Sequence, residues 1–212
     1  MSQTSLLSLL EQGGQREKVD ERLRQLAFVD GLKLNEVMLG TLLDVATPDW
    51  MRVESLWSMF CIDFGVQPNK ICYTARAKAH LLCGRPRTAV QVMSEMQRMG
   101  SKLSGREAII YLQAMLIVCH AELTEIALQQ LHELLREARV AMEGADKSVK
   151  KQLEMLVALC DRTSLESAAF PELLVVSAGK QGVMQDWRHS AGTKYLSQER
   201  PLRPPPPLEK RS

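Results

Sequence analysis

Apolar residues recur at three- and four-residue spacing along the chain as far as Asp161, the period of one helix face rather than of a strand. The clearest stripe is Ala89, Val92, Met93 and Met96. This pattern predicts helices over Asn35–Val45, from Asp49 to about Phe60, and over Ile71–Leu82, Arg87–Met99, Arg106–His120 and Thr124–Met142. A last helix over 148–161 would act as a cap, and Ser5–Ala27 reads as two short helices split by Gly13-Gly14. Only Leu173–Val176 hints at a strand. Beyond Ser164 the period is lost, and Pro201–Ser212 holds five of the nine prolines, which predicts an irregular, disordered Pro-rich C-terminal tail over 164–212.

A second, longer period lies over the first. Gly31-Leu32-Lys33-Leu34-Asn35 resembles Gly65-Val66-Gln67-Pro68-Asn69 and, more weakly, Gly100-Ser101-Lys102-Leu103-Ser104. The glycines are 34 and 35 residues apart (65 − 31 and 100 − 65). Each closes one helical segment and precedes another, as expected of a residue that takes the left-handed conformation at a helix end. Pro68 blocks continuation of the helix before it, and Pro86 stands at a helix start, where its missing N–H is not needed. The chain therefore divides into helical hairpins over about 1–35, 36–69, 70–104 and 105–142, with the capping helix after them. Ala75 and Ala79, four apart in Ile71–Leu82, are small enough to let a neighbouring helix come close.

Composition agrees with an all-α reading: 45% of residues are hydrophobic, 25% charged and only 5% aromatic, and Leu, Ala, Met, Gln and Glu abound. The longest apolar run, Ala114–Cys119, is far short of a membrane span. The start shows neither a secretory signal nor an Arg-rich, acid-poor import signal, since Glu11, Glu17, Asp20 and Glu21 come early. Either the protein stays where it is made, or the original start is missing. Cys61, Cys72, Cys83, Cys119 and Cys160 stand singly, which argues for reduced thiols and against zinc or a disulfide framework.

The 70–104 unit carries a resemblance to the pentatricopeptide repeat. Cys72-Tyr73-Thr74-Ala75 is similar to the family's opening with its Tyr, and Cys83-Gly84-Arg85 to its Gly-Arg turn. Ala89-Val90-Gln91-Val92-Met93-Ser94-Glu95-Met96 resembles Ala-Leu-x-Leu-Phe-x-Glu-Met, and Gly65-Val66-Gln67-Pro68-Asn69 the closing Gly-x-x-Pro-Asn/Asp. The 36–69 unit lacks the Gly-Arg turn, and the pair after Gly105 keeps only Ala127-Leu128 and the helical pattern. The resemblance implies a right-handed alpha-alpha superhelix, a solenoid of helical hairpins whose first helices line a concave face. It implies binding of single-stranded RNA, one nucleotide per repeat, in organellar RNA processing, stability or translation. Reading positions fall at the fifth and last residue of each unit: Ser5 with Asn35, Gly40 with Asn69, and Thr74 with Ser104. Ile71, near Thr74, is implied as a residue that sandwiches a base, the other reading being ordinary core. The implied location is mitochondrion or chloroplast, with cytoplasm as the other reading.

Charge adds phosphate candidates. Residues 70–104 carry 7 basic groups and 1 acidic, a balance of +6, whereas residues 1–69 balance at −4, 105–170 at −3 and 171–212 at +3. Such an excess suits a polyanion. Arg76, Lys78, Arg85 and Arg87 are the cations chosen, although Arg76 and Lys78, two apart on one helix, cannot point the same way. No nucleophile elbow, phosphate loop or dinucleotide fingerprint is present, and His80, His120, His132 and His189 do not fall at metal spacing, so an enzyme, a cofactor and a metal are not expected. The competing expectation is a non-catalytic scaffold contacting protein subunits of a ribosomal or RNA-processing complex. Pro201–Pro207 suits an aromatic-lined groove, or a plain disordered end.

Overall fold

The computed structural model describes residues 2–47, 49–122 and 124–162. The expected tail over 164–212 and the strand candidate Leu173–Val176 lie outside the described residues. Nine α-helices and no strand are present among the described residues: α1 (Gln3–Gln12), α2 (Arg16–Arg24), α3 (Glu36–Ala46), α4 (Trp50–Ser58), α5 (Lys70–Leu82), α6 (Pro86–Arg98), α7 (Gly105–Glu122), α8 (Glu125–Glu143) and α9 (Lys147–Arg162). None is long and apolar enough to cross a membrane.

The helix ends follow from particular residues. Asn35, Asp49, Asn69 and Thr124 cap α3, α4, α5 and α8 by accepting N–H bonds from the first turn. Pro86 opens α6. The glycines of the 34-residue period, Gly31, Gly65 and Gly100, have φ of +64°, +65° and +83°. That conformation costs a residue with a Cβ roughly 1–2 kcal/mol, which explains why glycine recurs there.

The first two units differ from the third in a way the apolar period does not reveal. Both α2 and α4 run on into one π-helical turn, Gln25–Val29 and Met59–Asp63, 34 residues apart. In both, the N–H two residues beyond the turn's closing residue reaches back six positions, Leu32 to the Leu26 carbonyl and Val66 to that of Phe60. After α6, by contrast, Met99 closes on Glu95 in ordinary α fashion.

Packing is between neighbours. The first helices form a row in which α1 meets α3, α3 meets α5 and α5 meets α7. Each second helix packs on its own partner, and α4 and α6 also pack on the first helix of the following unit. Helix α9 covers α7 and α8. Two apolar cores result, and α5 feeds both: Cys72, Ala75 and Ala79 join the one built with α1–α4, while Tyr73, Ala77 and Leu81 join the one built with α6–α9. Trp57 packs against both cores and meets the Tyr73 ring edge-on at 5.0 Å.

Candidate nucleic-acid interface

The row of first helices leaves a groove of about 640 Å³ between α3, α5 and the start of α7. Its floor is made of small residues, Gly40 and Ala75. A methyl group placed on Gly40 would touch Ile71 Cγ2 at 3.6 Å and Cys72 Sγ at 3.7 Å, so α3 and α5 are close-packed there. The Cys72 thiol donates to the Glu36 carbonyl at 3.2 Å, and burial raises its pKa. Over this floor stand Val37 and Ile71, 64% and 62% exposed, one repeat apart on successive first helices. The ordinary-core reading of Ile71 is therefore corrected: it is a solvent-facing aliphatic group on the groove wall.

The polar lining is more constrained than the sequence implies. Asn69 spends Oδ1 capping α5, where it accepts from the N–H groups of Ile71 (2.9 Å) and Cys72 (3.2 Å); its Nδ2 is the donor left for a ligand. Thr74 Oγ1 donates to the Lys70 carbonyl at 2.6 Å, and Thr41 Oγ1 to that of Val37 at 2.8 Å. Both hydroxyl groups keep acceptor capacity toward the groove but no free proton. Lys78 and Arg106 are the cations of the lining, against Glu36, Asp44 and Glu107. Lys78 sits 3.3 Å from Asp44 in a pair open to solvent.

The sequence-derived site residues thus separate into two sets. Gly40, Asn69, Ile71, Thr74 and Lys78 share the groove. Ser5, Asn35, Arg76, Arg85, Arg87 and Ser104 do not line it. Ser5 lies on α1 and shares a hydrogen bond with the Ser2 hydroxyl. Asn35 caps α3 and borders a different cleft. Ser104 gives both its N–H (2.7 Å) and its hydroxyl to Glu107, a capping arrangement at the start of α7, so its hydroxyl is not offered as a partner to Thr74.

Arg76 is the clearest correction. It is buried, and its Nε and one terminal nitrogen bond both oxygens of Glu54 at 2.6 and 2.7 Å, with the guanidinium carbon 4.3 Å from the Trp57 ring centre. A guanidinium so held has no open face for phosphate. Glu54 also bonds the Nε2 of fully buried His80 at 2.8 Å. Burial alone would raise the Glu54 carboxyl, but the bonds from His80 and Arg76 outweigh it and hold the pKa at about 2. Burial lowers the pKa of His80, and its bond to Glu54 only partly opposes this. Arg85 stands in the turn between α5 and α6, 3.7 Å over the Trp50 ring, with Nε buried and without a hydrogen-bond partner. Arg87, in the first turn of α6, is half-buried. Helix α5 rises about 1.5 Å per residue, so the turn with Arg85 lies roughly 20 Å from the end of α5 at Asn69. The +6 balance of this unit is therefore not one positive face.

Sequence reasoning missed Val37, Thr41 and Arg106, although counting one unit back and one unit forward from Ile71 reaches Val37 and Arg106. The Ser104-x-x-Glu107 spacing was likewise legible as a helix start. Nothing in the sequence marked Glu54 as the partner of Arg76. Compared with known proteins, the chain matches no protein-family model, and no curated protein matches it in sequence.

Proposed function

We propose that the hairpins form a right-handed pentatricopeptide-type solenoid that holds single-stranded RNA in the groove along its first helices. On this reading it serves organellar RNA processing, stability or translation, as the family resemblance implies. The observation that carries the reading is the pair Val37 and Ile71, exposed one repeat apart over the Gly40–Ala75 floor. Two aliphatic side chains so spaced fit the two faces of one unstacked base, with the Asn69 amide beside its edge. Recognition of unpaired RNA depends on such splayed bases.

Phosphate contributes little here. With Lys78 and Arg106 as the groove's cations, the logarithm of affinity should fall with the logarithm of salt with a slope of only about −1.4. Fluorescence anisotropy with a labelled mixed-sequence single-stranded RNA at low salt tests this. Ile71→Ser and Lys78→Glu should each weaken binding at least fivefold, while Arg85→Gln should leave it within twofold. Absence of binding at low salt, or an unchanged affinity in Ile71→Ser, sinks the reading.

A second reading rests on one observation: Glu36, Asp44 and Glu107 outnumber the two cations of the groove. That balance favours a basic polypeptide segment, as for a scaffold in a ribosomal or RNA-processing complex. RNA failing to bind while a basic peptide is retained, and lost in Ile71→Ser, would select it.

A further inference from the structure

The second cleft has about 500 Å³ and lies between the two glycine turns, away from the first-helix groove except that both touch Glu36. Its walls are the ends of the two π-helical turns. Phe28, 69% exposed, faces Phe64 with ring centres 5.6 Å apart and planes inclined at 59°, and Phe60 backs Phe64 at 5.7 Å. Leu32 extends this apolar wall. Asp63 and Glu36 supply carboxylates to the lining, against a single cation, Lys33. Phe64 is half-buried against the core of α1–α5, so the mostly exposed Phe28 ring and Leu32, with acidic neighbours, form the part of this wall open to a partner.

We propose that this cleft holds the segment 200–211 of the same chain, Arg-Pro-Leu-Arg-Pro-Pro-Pro-Pro-Leu-Glu-Lys-Arg. That segment lies outside the described residues, and the case for it is complementarity of chemistry. A run of prolines favours the polyproline II helix, which loses little entropy on binding and docks in aromatic-lined grooves. Its prolines match Phe28, Phe64 and Leu32. Its charges, four basic and one acidic, match Asp63 and Glu36, and guanidinium–carboxylate bonds are the strong kind. Residues 163–199 connect it to α9, a tether that can span roughly 120 Å at full extension. Tethering gives an effective concentration of the order of millimolar, so even a weak contact is populated.

Zero-length carbodiimide crosslinking of the full chain, read by mass spectrometry, tests the proposal. The reagent joins an amine to a carboxylate with loss of water, so Lys210 should become linked to Asp63 or Glu36. Phe28→Ser, at a mostly exposed position, and Arg203→Glu, outside the helical units, should each reduce the yield at least fivefold with the far-ultraviolet circular dichroism unchanged. In a mixture of unlabelled chain and chain labelled with heavy nitrogen, the links should join peptides of one label. No link from Lys210 to these carboxylates, an unchanged yield in Arg203→Glu, or, in an equal mixture, about half of the links joining differently labelled peptides, as random pairing between chains gives, would overturn it.

Discussion

The Arg76 guanidinium is enclosed by Glu54 and the Trp57 ring, and His80 shares the same carboxylate. Removing Glu54 would leave a buried cation with only the longer contact to Glu95, at 3.9 Å. Glu54→Ala should therefore cost about 3 kcal/mol, at the lower end for a buried pair because Glu54 is partly exposed. Thermal melting should show a fall of roughly 6–12 °C, and a shift under 2 °C would contradict the pairing. The pH dependence has a definite sign. His80 has a folded pKa below its ordinary 6.5, so the unfolded chain binds that proton first. Its contribution is complete above about 6.5 and is lost as pH falls from there toward the folded value. Glu54, at about 2 in the fold against 4.5 ordinarily, contributes fully above 4.5 and loses its contribution toward pH 2. Urea midpoints should therefore decline in two stages on acidification, and His80→Gln should flatten the first. This network was invisible in the sequence because Glu54, which bonds both Arg76 and His80, lies 22 and 26 positions before them on another helix. A count of cations registers charge and not enclosure.

Helices and their ends were far more legible. Asn69, Pro86 and the glycines at 31, 65 and 100 act through bonds to their own chain, and local rules reach such bonds. The π-helical turns were not legible, because each is a single five-residue turn at a helix end, too short for a change of period to show in the apolar pattern. Close approach between helices is also hidden, since a glycine inside a helix looks the same whether it is crowded or open. Gly105 and Gly40 separate the two cases. A Cβ on Gly105 would lie 2.5 Å from Val149 Cγ1 and 3.0 Å from Ala145 Cβ, both on the segment that brings α9 onto α7. Gly105→Ala should thus cost about 1–3 kcal/mol by overpacking. A Cβ on Gly40 makes only ordinary contacts, and alanine favours a helix interior by up to about 1 kcal/mol. Gly40→Ala should be neutral or stabilising in urea unfolding. The reverse ranking of the two variants would show that the α3–α5 and α7–α9 approaches are not as described.

At the scale of the molecule, two cores meet at α5, and the helices between them pack on their neighbours. An array of this kind holds together by the sum of its nearest-neighbour contacts, so damage at one end need not reach the other. Phe60 is fully buried in the core of α1–α5 and absent from the core of α6–α9. Phe60→Ala should cost about 3–5 kcal/mol by loss of apolar burial and by the cavity left behind. Hydrogen exchange locates the loss. Amides of α1, α3 and α4 should exchange at least tenfold faster, with α7 and α8 close to their native rates, because α7, α8 and α9 bury one another and, among the described residues of α1–α4, only Trp57 packs against their core. Helix α5 should change by an intermediate amount, since one of its faces remains covered by α6 and α7. Uniform acceleration through α9 would mean that α5 welds the two cores into one cooperative unit, and the hairpins could no longer be regarded as separable modules.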